Sequence, residues 1–210
     1  MPLQNRVTPL GDIVVAPERG LFTGNRGIIH DPRTRTLLKR RWASRAWLIC
    51  TLQWRGVRRT VMGAGSWTEL FFLDEATALA AGHRPCFLCR RAAAQAFQAC
   101  FPANGQREPL KAGDIDRMLH AERLDGRRKR LHAMTLPAAD LPDGVMILQG
   151  SGPHLILGGL ARPWSPAGYG APTAPRDGAR LITPPATVAV LRAGYRPLIH
   201  SSACGEDRRL

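Results

Sequence analysis

The stretch Leu73 to Arg91, LDEATALAAGHRPCFLCRR, decides the fold of this chain. Asp74 is placed to cap a short helix, and the residues from Glu75 to Ala81 are mostly good helix formers. Gly82 stands where a left-handed residue ends a helix, and Pro85 forbids its continuation. Cys86 and Cys89 then have the spacing that lets two thiolates grip one tetrahedral metal ion. An Ala-rich helix from Arg90 to Cys100 follows, and its positive end favours thiolate over thiol at Cys89.

Upstream, AWLICTLQW and VRRTVM read as two strands of a hairpin about Arg55-Gly56, with a third short run from Glu69 to Leu73 leading into the helix. The first forty residues, including GLFTGNRGIIHDPRT, read as successive turns around short extended pieces. Downstream, Ile115, Met118, Leu119 and Glu122 recur at helical spacing within a helix from Asp114 to Leu124, before the basic run RRKR. Pro137 to Asp143 marks a boundary. Beyond it come the strands GVMILQ and HLILGG, a Pro/Gly-rich loop from Arg162 to Gly178, a strand ARLIT and a last helix in PPATVAVLRAG. AAGHRPC is echoed by RAGYRPL near residue 195, which reads as a shared helix stop rather than a duplication. The expected architecture is α+β, with a small antiparallel sheet joined to the Cys-x-x-Cys helix module and a second β-rich part. A Gly/Arg-rich segment, 1–44, packs on the module with its added helix, 45–136. A β-rich segment with a final helix, 137–210, completes one compact unit.

The phrase Phe71, Phe72, Ala80, Ala81, Gly82, Arg84, Pro85, Cys86 and Cys89 resembles the metal-binding module of the Ada DNA-alkylation-repair family. The likeness covers about residues 45–93 and is close over its last twenty. It implies a small sheet followed by two helices, zinc, and a DNA substrate. In the family two further cysteines, four residues apart, complete the zinc site, and the first accepts an alkyl group from a DNA phosphotriester. Cys50 stands for that first cysteine, and Trp54 occupies the place of the second. The other parts of an Ada protein are absent.

Cys50, Cys86 and Cys89 are therefore the candidate ligands for Zn2+, with His83, His30 or His120 open as a fourth. The alternative is a metal-free pair of small buried thiols. Five cysteines in one close pair and three singles do not make a secreted disulfide framework. With no signal-peptide pattern at the N-terminus and no apolar run of spanning length, the expectation is a cytoplasmic protein with no membrane partner.

The net charge of +14, in which arginine supplies nearly all of the 30 basic residues, points to a polyanion, double-stranded DNA above all. From Arg33 to Arg59 there are nine basic residues and no acidic one. Within and around this stretch Arg40, Arg41, Trp42, Arg45, Arg58 and Arg84 are candidate contacts to nucleic acid. Arg162, Trp164 and Tyr169, in RPWSPAGYG, form an aromatic-basic loop suited to a flipped base. In GNRGIIHDP, Asn25, His30 and Asp31 offer the polar groups that base removal requires. No Walker or Rossmann glycine pattern occurs, so no nucleotide cofactor is expected. The resulting expectation is a DNA-binding protein acting on damaged or modified DNA, with glycosylase-type base removal favoured over alkyl transfer or a nuclease. The rival expectation is a non-catalytic, metal-stapled regulatory or architectural nucleic-acid-binding protein.

Overall fold

The computed structural model describes residues 2–57, 60–102 and 109–204. Strands β1 (Gln4–Val7) and β2 (Ile13–Val15) form a hairpin, followed by β3 (Phe22–Asn25). A small ribbon of β4 (His30–Asp31) and β5 (Thr36–Leu37) precedes β6 (Leu48–Cys50) and β7 (Leu70–Phe72). Helix α1 (Glu75–Ala80), strand β8 (Arg84–Pro85) and helix α2 (Arg91–Ala99) complete the first half. Six of these strands make one sheet in the order β2-β1-β7-β3-β6-β8. The sheet is mixed rather than antiparallel, because β1 runs parallel to β7 and β6 parallel to β8.

The N-terminal segment meets the module through its sheet, to which β1, β2 and β3 belong. In the expected hairpin partner of Leu48–Cys50, Arg58 and Arg59 lie outside the described residues, and the described remainder forms no strand. Both edges of β6 are taken, by β3 on one side and β8 on the other, so no edge remains for a strand beyond Arg55-Gly56. Gly24 makes the close pairing with β6 possible, since a Cβ there would lie 2.0 Å from the Leu48 carbonyl oxygen.

Alternation along these strands sorts the two faces. Phe22, Ile49, Leu70 and Phe72 are buried in the main core, while Thr23, Asn25, Cys50 and Phe71 belong to the other face. Helix α1 lies under the core face and packs against β7. All six of its residues are buried, which its run of small side chains permits. Asp74 caps it by accepting from the Thr77 amide at 2.8 Å. Gly82, at φ +90°, ends it, with the Gly82 and His83 amides turned back to the Leu79 and Ala78 carbonyls.

The second half begins with α3 (Ala112–Arg123), which runs into a short hairpin of β9 (Leu124–Asp125) and β10 (Arg128–Lys129). The strands β11 (Met146–Gln149), β12 (Gly152–Leu157), β13 (Leu160–Ser165), β14 (Gly168–Tyr169) and β15 (Arg180–Leu181) form an antiparallel sheet ordered β14-β13-β12-β11-β15. Helix α4 (Pro185–Arg192) packs on α3 and stops at Gly194 with the backbone bonds seen after α1. The fold is α+β, and one core cluster runs from Phe22 and Leu70 through Ile147 and Ile156 to Leu191. Among the described residues no helix is long and apolar enough to cross a membrane.

Two adjacent carboxylates join the halves. Asp74 accepts from the Tyr169 hydroxyl at 2.8 Å and the His200 amide at 3.0 Å. Glu75 accepts from the Tyr195 hydroxyl, the Leu198 amide and the Arg90 guanidinium.

Candidate metal centre

The parallel pairing of β8 with β6 brings the cysteines together. Leu48 and Ile49 lie opposite Arg84 and Pro85, so Cys86 emerges beside Cys50 and its amide bonds the Ile49 carbonyl at 3.0 Å. The chain then turns through Phe87 and Leu88 to Cys89, just before α2. The three sulfurs lie within 4.8 Å of one another. The Leu88 amide points at the Cys86 sulfur at 3.4 Å. Hydrogen bonds from the Cys50 and Cys89 thiols hold Cys86 well below the ordinary thiol range, and the same sharing pushes Cys50 up. A bound dication removes this competition by favouring all three thiolates, so the donor set fits a soft or borderline metal ion.

The cluster opens on a cleft of about 360 Å³ on the face of the first sheet away from the core. Trp54, Trp67 and Phe71 line it together with Asn25 and Glu69. Glu69 is 5% exposed, and its carboxylate is fixed by the Met62 amide at 2.7 Å and the Ser66 hydroxyl at 3.0 Å. Leu52, Val57 and Leu88, all exposed, border the opening.

None of the three candidate histidines joins the cysteines among the described residues. His83 is fully buried on the core side, against Trp47 and Phe72. Burial beside Arg26 and Arg123 holds its pKa well below the usual value. Its Nε2 accepts from Arg26 Nε at 3.2 Å and its Nδ1 meets the Ala78 carbonyl, which suits the neutral ring. His30 spends Nδ1 on the Thr68 hydroxyl and Nε2 on the Gly63 carbonyl. His120 packs beside Trp42 and meets Arg123.

The expected catalytic trio is not assembled as one group. Asn25 lines the cysteine cleft, with its carbonyl oxygen accepting from the Gly27 amide. His30 and Asp31 line neither the cysteine cleft nor the cavity beside Arg26 and Arg123, and Asp31 caps its own turn at the Arg33 amide. RPWSPAGYG is not an open loop but the β13–β14 hairpin, with Trp164 opposite Tyr169. Trp164 donates to the Thr77 hydroxyl, Tyr169 is buried on Asp74, and Arg162 donates to the Ala203 carbonyl. These aromatics pin the second sheet to α1, with Tyr169 buried and Trp164 half-buried. Arg84 is likewise no surface contact, because it forms a buried pair with Asp116 at 2.7 Å.

Arg40, Arg41 and Arg45 are exposed and Trp42 is half-buried. Lys39, Arg40, Arg41, Trp42 and Arg127 border one open depression. Arg58 lies outside the described residues. Sequence reading missed Glu69, Trp67 and Phe71, although parity with Cys50 across β3 and β7 places Phe71 on the cysteine face. Comparison of the chain with protein-family models, curated proteins and solved structures gave no match.

Proposed function

We propose that this is a zinc-thiolate protein that binds DNA and acts on a damaged or modified base. The observation that carries the reading is the convergence of the Cys50, Cys86 and Cys89 sulfurs on the wall of an aromatic cleft. Three protein ligands with a fourth position left open is the arrangement of catalytic rather than structural zinc. The likeness to the Ada module favours zinc, and Trp54 replaces its fourth cysteine on the cleft wall. Bound there, zinc supplies a Lewis-acid position facing the cleft.

A cavity of this size suits one extruded base, with Trp54, Trp67 and Phe71 as apolar walls. Glu69, fixed at both oxygens, provides an oriented carboxylate, and the Asn25 amide nitrogen offers donors to a base edge. Arg40, Arg41 and Arg45, with Trp42 between them, supply phosphate contacts outside the cleft. This arrangement favours chemistry at the cleft over base removal by His30 and Asp31.

Elemental analysis of the purified protein tests the centre. The expected result is about one zinc per chain, lost in Cys50→Ser. Duplex binding should weaken steeply with salt, and alkylated-base duplexes should yield product with the wild type but not with Glu69→Gln. Absence of zinc from the wild type, or DNA affinity indifferent to salt, would sink the reading.

A further inference from the structure

On the core side of the first sheet, opposite the cysteine cleft, lies a chamber of about 600 Å³. Arg26, Arg41, Arg123, Arg127, Arg128 and Lys129 line it, against one lining carboxylate among the described residues, Asp12. The sequence brings them there from four places. Arg26 continues the inward parity of Phe22 and Gly24, Arg123 ends α3, and the β9–β10 hairpin delivers the rest apart from Arg41.

Two of these cations are almost fully buried, Arg26 at 2% exposure and Arg123 at 0%. Neither is within 4.0 Å of a carboxylate among the described residues, nor is Lys129, whereas Arg84 and Arg90 each have an ion pair. Their hydrogen bonds go mainly to neutral acceptors: Arg26 to the Gly11 carbonyl and His83, Arg123 to the Gly82 and Arg45 carbonyls, Lys129 to the Ala80 carbonyl. Arg26 Nη2 and Arg123 Nε are buried with no hydrogen-bond partner among the described residues. Both guanidinium carbons sit 3.9 Å from the centroid of the Trp47 ring, which eases each charge but neutralises neither. Burial first, then mutual repulsion, pushes Lys129 down to about 7 and Arg26 to about 9. Asp12, Asp116 and Glu122 act on these charges only from beyond ion-pair distance; charges kept from water in this way are costly, and an anion is the missing component.

We propose that this chamber binds a phosphate monoester, with Arg26, Arg123 and Lys129 holding the phosphate and Trp42 at the mouth packing on the attached nucleoside. Guanidinium forks match phosphate oxygens, and several convergent cations select a dianion over a carboxylate. The side chains do this without the glycine-rich loop of nucleotide-cofactor folds. The monoester is that of a free nucleotide or of a 5′-phosphorylated strand end. The site does not rest on the metal-centre reading, since the sheet separates the two.

Titration calorimetry on the full chain in phosphate-free buffer, with orthophosphate, AMP and adenosine as probes, tests it. Orthophosphate and AMP bind and adenosine does not. Lys129→Met weakens AMP by about tenfold or more, and the exposed pair Arg127→Ala/Arg128→Ala, which keeps the fold, weakens it severalfold. Cys50→Ser leaves AMP binding unchanged, which separates this outcome from the fate of the metal centre. No binding of either phosphate compound at millimolar concentration overturns the proposal. So does AMP binding that is indifferent to the Arg127/Arg128 pair. Displacement of AMP by a 5′-phosphorylated strand but not a 5′-hydroxyl strand assigns the site to strand ends, and displacement by neither assigns it to free nucleotides. Equal displacement by both overturns the monoester assignment.

Discussion

Arg84 donates Nε to Asp116 Oδ1 at 2.8 Å and Nη2 to Oδ2 at 2.7 Å, with both side chains nearly buried. Removing one member of such a pair strands the other charge in the interior. Arg84→Met should therefore cost about 3–5 kcal/mol, whereas Arg84→Met with Asp116→Leu should recover most of it. Urea unfolding of the three proteins decides this; a single variant within about 1 kcal/mol of wild type would mean the pair is solvated. The arginine of RPC reads as a DNA contact in sequence because its partner is thirty-two residues away. Cys86 and Cys89 were legible for the opposite reason, since ligand spacing inside one turn is local. His83 was not, because nothing local says that its ring points away from the cysteines, into the core beside Arg26.

At the scale of elements, the loop from α1 to β8 holds Arg123 in the chamber wall. Gly82 needs its left-handed conformation, and a Cβ there would lie 2.6 Å from the Arg123 side chain, whose Nη1 also bonds the Gly82 carbonyl. Gly82→Ala combines backbone strain with displacement of Arg123, and should cost about 1–3 kcal/mol. Thermal melting measures the cost, and calorimetry with AMP should show weakened binding alongside it. A variant as stable as wild type would show that the close approach is relaxed in solution. Helices α1, α2 and α4 and strands β11, β12 and β15 were legible because their caps, stops and alternation are short-range, whereas β13 and β14 fell in a stretch that reads as a loop through its prolines and glycines. The hairpin about Arg55-Gly56 misled because turn chemistry is real there, with the Val57 amide bonded to the Trp54 carbonyl, yet the edges of β6 were already taken. Which strand wins an edge is decided by segments far apart in sequence, and local pattern does not carry it.

Across the whole molecule, a charge of +14 is partly turned inward, and this makes stability depend on pH in an unusual direction. Burial, then Arg123 and Arg26, lower Lys129 from 10.5 to about 7, with Glu122 opposing. Between these values the unfolded chain holds a proton that the folded chain has released. Stability therefore rises with pH across that window, and the contribution is lost as pH falls through about 7. Arg26 and Arg123 are pushed down by burial as well, but a guanidinium keeps its proton through this window, so Lys129 carries the rise. Tyr169 and Tyr195, raised by burial and then by Asp74 and Glu75 respectively, reverse it above their ordinary value of 10.0. Urea unfolding should accordingly show a gain of about 2 kcal/mol from pH 7 to pH 9 in phosphate-free buffer, and a smaller one in Lys129→Met. Orthophosphate should stabilise the protein more at pH 7 than at pH 9, because an anion in the chamber keeps the ammonium charged and is held best while it is. A flat profile from pH 7 to pH 9, or one identical in Lys129→Met, would show that water reaches these cations. The argument for a buried anion site would then fail with it.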